Sequence, residues 1–157
     1  MANVIYNRFL RLESSRTYGW DSNTTIRALL VGGDSYTPSK NHETVQEAIN
    51  AGLVELEAEG YSRQTITNKT IVVDTSQNQI EYHADNLNFG AIESGKTIYG
   101  ILFYIRVGQE DDEESDIPVL YIDTATSLPL ETNGQAILVT FPNTGIMVKR
   151  QAVETEV

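Results

Sequence analysis

Cysteine is absent from the 157 residues, and cationic side chains are few. The absence of cysteine excludes disulfides, thiolate zinc sites, iron–sulfur clusters and cysteine nucleophiles. Only 11 Lys and Arg stand against 22 Asp and Glu, which gives a net charge of −11. Non-specific nucleic-acid binding depends on cationic side chains that neutralise phosphates. We therefore expect no nucleic-acid partner.

The chain also lacks a long apolar run. No stretch approaches the ~20 apolar residues of a membrane-spanning helix, and the N-terminus lacks the basic start and apolar stretch of a secretory signal, so we expect no membrane contact. The hydrophobic fraction of 40% suits a folded chain. The length predicts one domain over residues 1–157, with an N-terminal arm over 1–13 and a mobile tail over 151–157.

Strand patterns dominate the sequence. Residues 98–107 are apolar at odd and even positions alike, which is typical of a strand buried on both faces. Residues 119–123 predict its antiparallel partner beyond an acidic connection. A hairpin is predicted from 66–74 and 79–84, which flank a turn-rich segment. Further strands are predicted at 25–31, 136–141 and 146–149.

Helix is scarce by comparison. Residues 43–51 have apolar side chains at helical spacing, with Asn41 as the N-cap and Gly52 as the stop. At the N-terminus, the spacing of Phe9 and Leu12 favours a helix, although the first apolar residues alternate as in a strand. Seven or more short strands with one short helix predict an antiparallel β-sandwich, with a partly open β-barrel as the alternative.

Six of the 22 acidic residues lie in one segment, residues 109–116, which contains no basic residue. Ca²⁺ binds carboxylate oxygens, but the segment lacks the Asp-x-Asp-x-Asp-Gly spacing that wraps a backbone around an ion. Adjacent anions repel each other and favour an extended, hydrated loop or an electrostatic contact with a basic neighbour. We expect no metal ion and no cofactor. Four side chains of the segment are candidate interface residues: Asp111, Asp112, Glu113 and Glu114.

The remaining candidate interface residues are aromatic. Tyr18 and the only tryptophan, Trp20, lie in a polar, turn-like segment. Aromatic side chains on loops are common interface anchors because they bury a large area at a low entropic cost. The alternative is a loop that folds back over the end of the sandwich. The sequence supports both interpretations equally.

No catalytic group is predicted. His83 and Asp85 would share a face of a strand, as a base and its orienting carboxylate do, but no nucleophile accompanies them. Glu55, Glu57 and Glu59 alternate in a way that is typical of a solvated strand face. We therefore expect no enzymatic activity.

Short segments of the chain occur in a recognisable order between residues 5 and 147. They include Tyr-Asn-Arg-Phe at 6–9, Ile-Arg-Ala-Leu-Leu at 26–30 and Pro-Val-Leu-Tyr-Ile-Asp at 118–123. The other matching positions are 36–38, 60–61, 67–70, 74, 84–85, 89, 98–102, 133–134 and 145–146. In this order the chain resembles a family of small virion-associated structural proteins of tailed bacteriophages.

The resemblance implies a structural role and supplies no catalytic residues. It implies a head decoration (cement) protein that binds outside the major capsid lattice as a homo-oligomer, on the outer surface of the virion, after assembly in the bacterial host cytoplasm. A tail, baseplate or fibre-attachment component is one alternative. A carbohydrate- or calcium-binding adhesin module that uses Tyr18, Trp20 and the acidic segment is the alternative from another class.

Overall fold

The computed structural model describes residues 3–150 and contains 35% strand and 9% helix. Its helices are α1 (Asn7–Ser14) and α2 (Val45–Asn50). Its strands are β1 (Val4–Ile5), β2 (Thr25–Val31), β3 (Gln64–Thr65), β4 (Thr70–Asp74), β5 (Gln79–His83), β6 (Leu87–Ala91), β7 (Thr97–Ile98), β8 (Gly100–Arg106), β9 (Ile117–Ile122), β10 (Leu130–Glu131), β11 (Ala136–Val139) and β12 (Met147–Arg150).

A five-stranded antiparallel sheet in the order β1-β9-β8-β2-β3 forms the centre of the molecule. In the pairing of β8 with β2, Ile105 lies opposite Ile26 and Gly100 opposite Val31. Every residue of β8 except the last is buried, which confirms the prediction of a strand covered on both faces, but β8 is shorter than the predicted 98–107. Ile98 belongs to β7, which pairs with β10, and Val107 lies beyond the end of β8 and is exposed. The pairing of β8 with β9 confirms the predicted antiparallel pair on either side of the acidic segment.

The two faces of this sheet pack against different layers. On one face, Ile26 and Phe103 share a cluster with Phe89 of β6. On the other face, Leu29 and Leu102 share a cluster with buried residues of α2. Because successive residues of a strand point to opposite faces, a strand between two apolar layers has to be apolar at every position.

Residues 3–150 also form three smaller antiparallel sheets, with the strand orders β12-β5-β4, β11-β6 and β10-β7. Side chains of β5, β6, β11 and β12 pack in the same cluster as one face of the central sheet. The chain is therefore mainly β and sandwich-like, as predicted, and its strands between residues 3 and 150 do not close into a barrel.

Helix α2 confirms the predicted short helix but begins two residues later. Its N-cap is Thr44, whose hydroxyl accepts a hydrogen bond from the Glu47 N–H at 3.2 Å. The predicted cap, Asn41, lies further upstream, where its side chain accepts from the Asn7 amide. Gly52 ends the helix as predicted, with φ +104°, a conformation that disfavours residues with a Cβ.

The N-terminal segment contains both a strand and a helix. Strand β1 pairs with β9, and the helix predicted around Phe9 follows as α1, with the Phe9 ring fully buried. Tyr6, between the two elements, is also fully buried. Residues 3–13 thus pack on their own domain and do not extend as an arm. The predicted tail over 151–157 lies outside the described residues.

The predicted hairpin is confirmed, but its first strand is shorter than expected. β4 and β5 pair across the turn at 75–78, where the Asp74 carboxylate accepts hydrogen bonds from two backbone N–H groups. Asn68 adopts φ +54°, in the left-handed region, which interrupts the extended backbone predicted from residue 66. β11 likewise ends at Val139, two residues before the predicted end.

Candidate functional site

The aromatic loop folds back over the core. Trp20 is 3% exposed, its indole N–H donates to the His83 carbonyl oxygen at 2.8 Å, and its ring meets the Tyr82 ring edge-on at 5.7 Å between centroids. Tyr18 is half-buried against the same cluster. A buried indole whose N–H is already bonded is not available to a partner. The interpretation of Trp20 as an interface anchor is therefore wrong, and the alternative of a covering loop describes this segment.

The acidic segment is a folded turn and not the extended, hydrated loop that charge repulsion predicted. Asp116 is fully buried, and its carboxylate oxygens accept from the N–H groups of Val107 at 3.1 Å and Asp112 at 2.8 Å. Burial raises the pKa of Asp116, and the charges of Asp111 and Asp112 raise it further, against the lowering effect of the two N–H donors. The backbone is thus closed around one of its own carboxylates.

Two arginines hold this turn to the central sheet. Asp111 forms an ion pair with Arg27 of β2 and accepts from the Tyr104 hydroxyl at 2.6 Å. Glu113 accepts from Arg63 at 2.8 Å. Burial raises the pKa of Tyr104, and its bond to Asp111 raises it further. We call the following residues the Arg63 cluster: Arg27, Glu55, Arg63, Tyr104, Asp111 and Glu113.

Arg63 is the centre of the cluster and is only 12% exposed at its side chain. Glu55 binds it through both carboxylate oxygens, at 2.8 and 2.7 Å, and the guanidinium lies 5.4 Å from the centre of the Tyr104 ring. Burial acts to lower the pKa of Arg63, but the bonds to Glu55 and Tyr104 outweigh it and raise that pKa. The cluster is therefore a fixed set of paired charges. The two other glutamates of the alternating run are exposed: Glu57 and Glu59.

The basic neighbour predicted for the acidic segment belongs to the same chain. Of the four acidic candidates, Asp111 and Glu113 bind its arginines, Asp112 accepts from donors within the turn, and Glu114 is exposed. Among residues 3–150, no group of three or more His, Asp or Glu side chains is arranged to hold a metal ion. Neither helix of this part of the chain could cross a membrane.

The two histidines lie in different parts of the fold and have different partners. The His83 Nε2 atom lies 3.2 Å from the Glu81 carboxylate, whereas Asp85 accepts from the side chain of Asn68. His42 is bonded through Nδ1 to the Tyr36 hydroxyl at 3.0 Å. The structure thus gives His83 and Asp85 separate partners.

The least protected surface of the described chain is β4. Ile71, Val72 and Val73 are exposed by 49%, 44% and 67%, and Ile80, opposite Val73 on β5, by 39%. Because successive residues alternate, β4 is bare on both faces, and no strand between residues 3 and 150 pairs with its outer side. We call β4 together with Ile80 the β4 edge.

Sequence reasoning missed these features because they depend on distant contacts. Arg63 lies 50 residues from Glu113, and Arg27 lies 84 residues from Asp111, so no local spacing pairs them. One signal was available, since Arg27 is the only charged residue of a strand that is apolar apart from it and Thr25. Nothing in the sequence distinguishes the aliphatic run of β4 from that of a core strand.

Comparison of this chain with protein-family models, with curated proteins and with solved structures found no match. The family resemblance therefore stays a prediction from the short segments in residues 5–147.

Proposed function

We propose that the protein is a structural subunit of a tailed-bacteriophage virion, a head decoration protein without enzymatic activity. The order of segments between residues 5 and 147 suggests this role. A sandwich-like fold with its acidic turn held by partly buried ion pairs suits a rigid particle component. The net charge of −11 suits an outer surface, because it opposes contact with packaged DNA.

The observation that carries the proposal is the β4 edge. Soluble proteins protect edge strands by charge, proline, bulges or short length. β4 has no proline and no bulge in its pairing with β5, its one charged residue is the terminal Asp74, and its three central residues are exposed aliphatic side chains. Exposed apolar surfaces of this kind mark protein–protein contacts. A subunit that works by assembly needs such a contact.

The partner proposed for the β4 edge is a second copy of the chain, which makes the protein a homo-oligomer. In an antiparallel pair centred on Val72, Ile71 lies opposite Val73 of the second copy on one face, and the two Val72 side chains meet on the other. Apolar side chains then oppose apolar side chains throughout the centre of the contact. A two-fold contact uses the same patch on both copies, which a self-complementary strand satisfies.

The charges of the surrounding sheet also favour a contact at the β4 edge. In the sheet β12-β5-β4, the carboxylates of Asp74 and Glu81 are balanced by the cations of Lys149 and Arg150. The chain as a whole carries −11, so most other pairs of surfaces would bring like charges together. A five-residue strand is short for a stable interface, and we expect a dissociation constant on the order of micromolar or weaker in solution. Many copies on one particle would strengthen the binding.

Cryo-electron microscopy of intact particles, with gel densitometry of purified virions, tests the proposed location. Density on the outside of the capsid and hundreds of copies per particle are expected. Copies in small multiples of three or six would place the protein on the tail or baseplate instead, and its absence from particles would overturn the virion proposal.

A further inference from the structure

A cavity of about 540 Å³ opens at one end of the central sheet. β2 and β9 both run antiparallel to β8, so the residues after β2, before β8 and after β9 meet at this end. The acidic segment, between β8 and β9, lies at the other end. Two carboxylates and three phenol rings, with two prolines, line the cavity: Asp34, Asp123, Tyr36, Tyr99 and Tyr121. We propose that it binds the cationic head of an arginine or lysine side chain from a partner protein.

Asp123 is the first reason for this assignment. Its side chain lines the cavity, the residue is 8% exposed, and no donor reaches its Oδ1 atom within the described chain. The backbone N–H of Asp123 donates to the side-chain oxygen of Asn3 at 3.2 Å, so this N–H does not serve the Asp123 carboxylate. A buried carboxylate oxygen without a partner is unfavourable. A guanidinium or ammonium group would supply both the N–H donors and the opposite charge.

The rest of the lining points to the same ligand. Asp34 adds a second carboxylate at the rim, and no Lys or Arg of the described chain lines the cavity. Phenol rings attract cations through their faces. Burial, together with the neighbouring charge of Asp123, raises the pKa of Tyr121 to about 12, so this phenol stays neutral at physiological pH.

The aromatic wall is fixed before any ligand arrives. The Tyr36 hydroxyl lies 2.7 Å from the Tyr6 hydroxyl and 3.0 Å from His42, and its ring meets the Tyr121 ring edge-on at 5.0 Å. A wall that does not have to rearrange loses less free energy on binding. Aromatic rings with carboxylates also bind sugars, but two carboxylates and no basic side chain favour a cation. The inference concerns the isolated chain and does not depend on the virion proposal.

The test is an NMR titration of the isotope-labelled chain with N-acetyl-arginine methylamide and N-acetyl-lysine methylamide. The matched neutral probe is N-acetyl-citrulline methylamide, and a panel of monosaccharides tests the sugar alternative. We expect saturable shifts of Tyr99 and Tyr121 signals, with a dissociation constant on the order of millimolar for at least one cationic probe. Citrulline should bind at least about tenfold more weakly.

Two variants locate the binding. Asp123→Asn should raise the dissociation constant of the cationic probe by about tenfold or more. Glu114→Gln, at the opposite end of the sheet, should leave that dissociation constant unchanged. If Asp123→Asn does not fold, Asp34→Asn at the exposed rim replaces it, with a smaller expected loss. Absence of saturable shifts, equal binding of citrulline, or sugar binding that Asp123→Asn does not weaken would each overturn the inference.

Discussion

At the scale of single residues, Asp111 connects the acidic turn to the central sheet. It binds the Arg27 guanidinium and the Tyr104 hydroxyl, and its side chain is 25% exposed. Asp111→Asn removes the charge and leaves Arg27 without its carboxylate. We expect the free energy of unfolding at pH 7 to fall by about 2–4 kcal/mol, as measured by urea unfolding.

The control for this variant comes from the same turn. Glu114 is exposed, so Glu114→Gln should change the free energy of unfolding by no more than about 0.5 kcal/mol. A loss below about 1 kcal/mol in Asp111→Asn would contradict the role assigned to the Arg63 cluster.

The pH dependence of stability provides an independent test of Asp111. Burial acts to raise its pKa, but the hydrogen bonds from Tyr104 and Arg27 outweigh burial and lower it. A carboxyl with a lowered pKa binds fewer protons in the folded chain. Its stabilising contribution is therefore complete above the unfolded pKa of about 3.9 and is lost as the pH falls through the folded value. The advantage of the wild type over Asp111→Asn should be constant above about pH 5 and shrink below about pH 4.

The contribution of Asp116 to the free energy of unfolding should change with pH in the opposite direction, as measured by the same urea-unfolding series. Because its pKa is raised, the folded chain binds more protons than the unfolded chain, and its contribution to stability decreases as the pH rises through that pKa. The stability of the wild type relative to Asp116→Asn should therefore decrease from pH 3 toward pH 6. Parallel pH profiles for the two variants would contradict the assigned pKa directions.

At the scale of elements, a substitution in the β4 edge should disrupt assembly and leave folding unchanged. Val73 is 67% exposed, so Val73→Lys should leave the free energy of unfolding within about 0.5 kcal/mol of the wild type. The lysine would place a charge in the proposed strand pair and should abolish self-association, as measured by sedimentation velocity over a range of concentrations.

The chain offers a matched control for this variant. Leu138 on β11 is 65% exposed, and Leu138→Lys makes the same change from aliphatic to charged side chain outside the β4 edge. It should associate like the wild type. Equal association of Val73→Lys and the wild type, or equal loss in both variants, would show that β4 is not the contact.

The elements that were predicted well depend on local patterns. The strand β8 followed from an apolar run on both parities, the hairpin β4–β5 from its turn residues, and α2 from helical spacing with Gly52 as its stop. The errors lie where more than one residue fits the local sequence pattern. Thr44 and Asn41 can both cap a helix, and the contact of Asn41 with Asn7 follows from tertiary packing.

The candidate site was less predictable than the fold. The polar, turn-like segment around Trp20 indicates an unusual setting for a tryptophan. Whether that side chain faces solvent depends on which strand passes beneath it, here β5 with Tyr82 and His83. Repulsion between its anions predicts an extended acidic segment, but two arginines that are distant in sequence pair with Asp111 and Glu113 and hold the segment folded. Both errors concern contacts between residues that are distant in sequence and that only the folded chain brings together.

At the scale of the whole molecule, the net charge of −11 opposes every association between two copies. The proposed contact is apolar and lies in a sheet whose charges balance, so salt has no attractive ion pair to weaken there. Raising NaCl from about 20 to 300 mM shortens the screening length and should reduce the repulsion between the rest of the two surfaces. We therefore expect self-association to strengthen as salt is added, and sedimentation velocity at fixed protein concentration measures it.

Val73→Lys should stay monomeric at both salt concentrations. Dissociation of the wild type by salt would mean that ion pairs hold the copies together, and the contact would then have to lie away from the β4 edge.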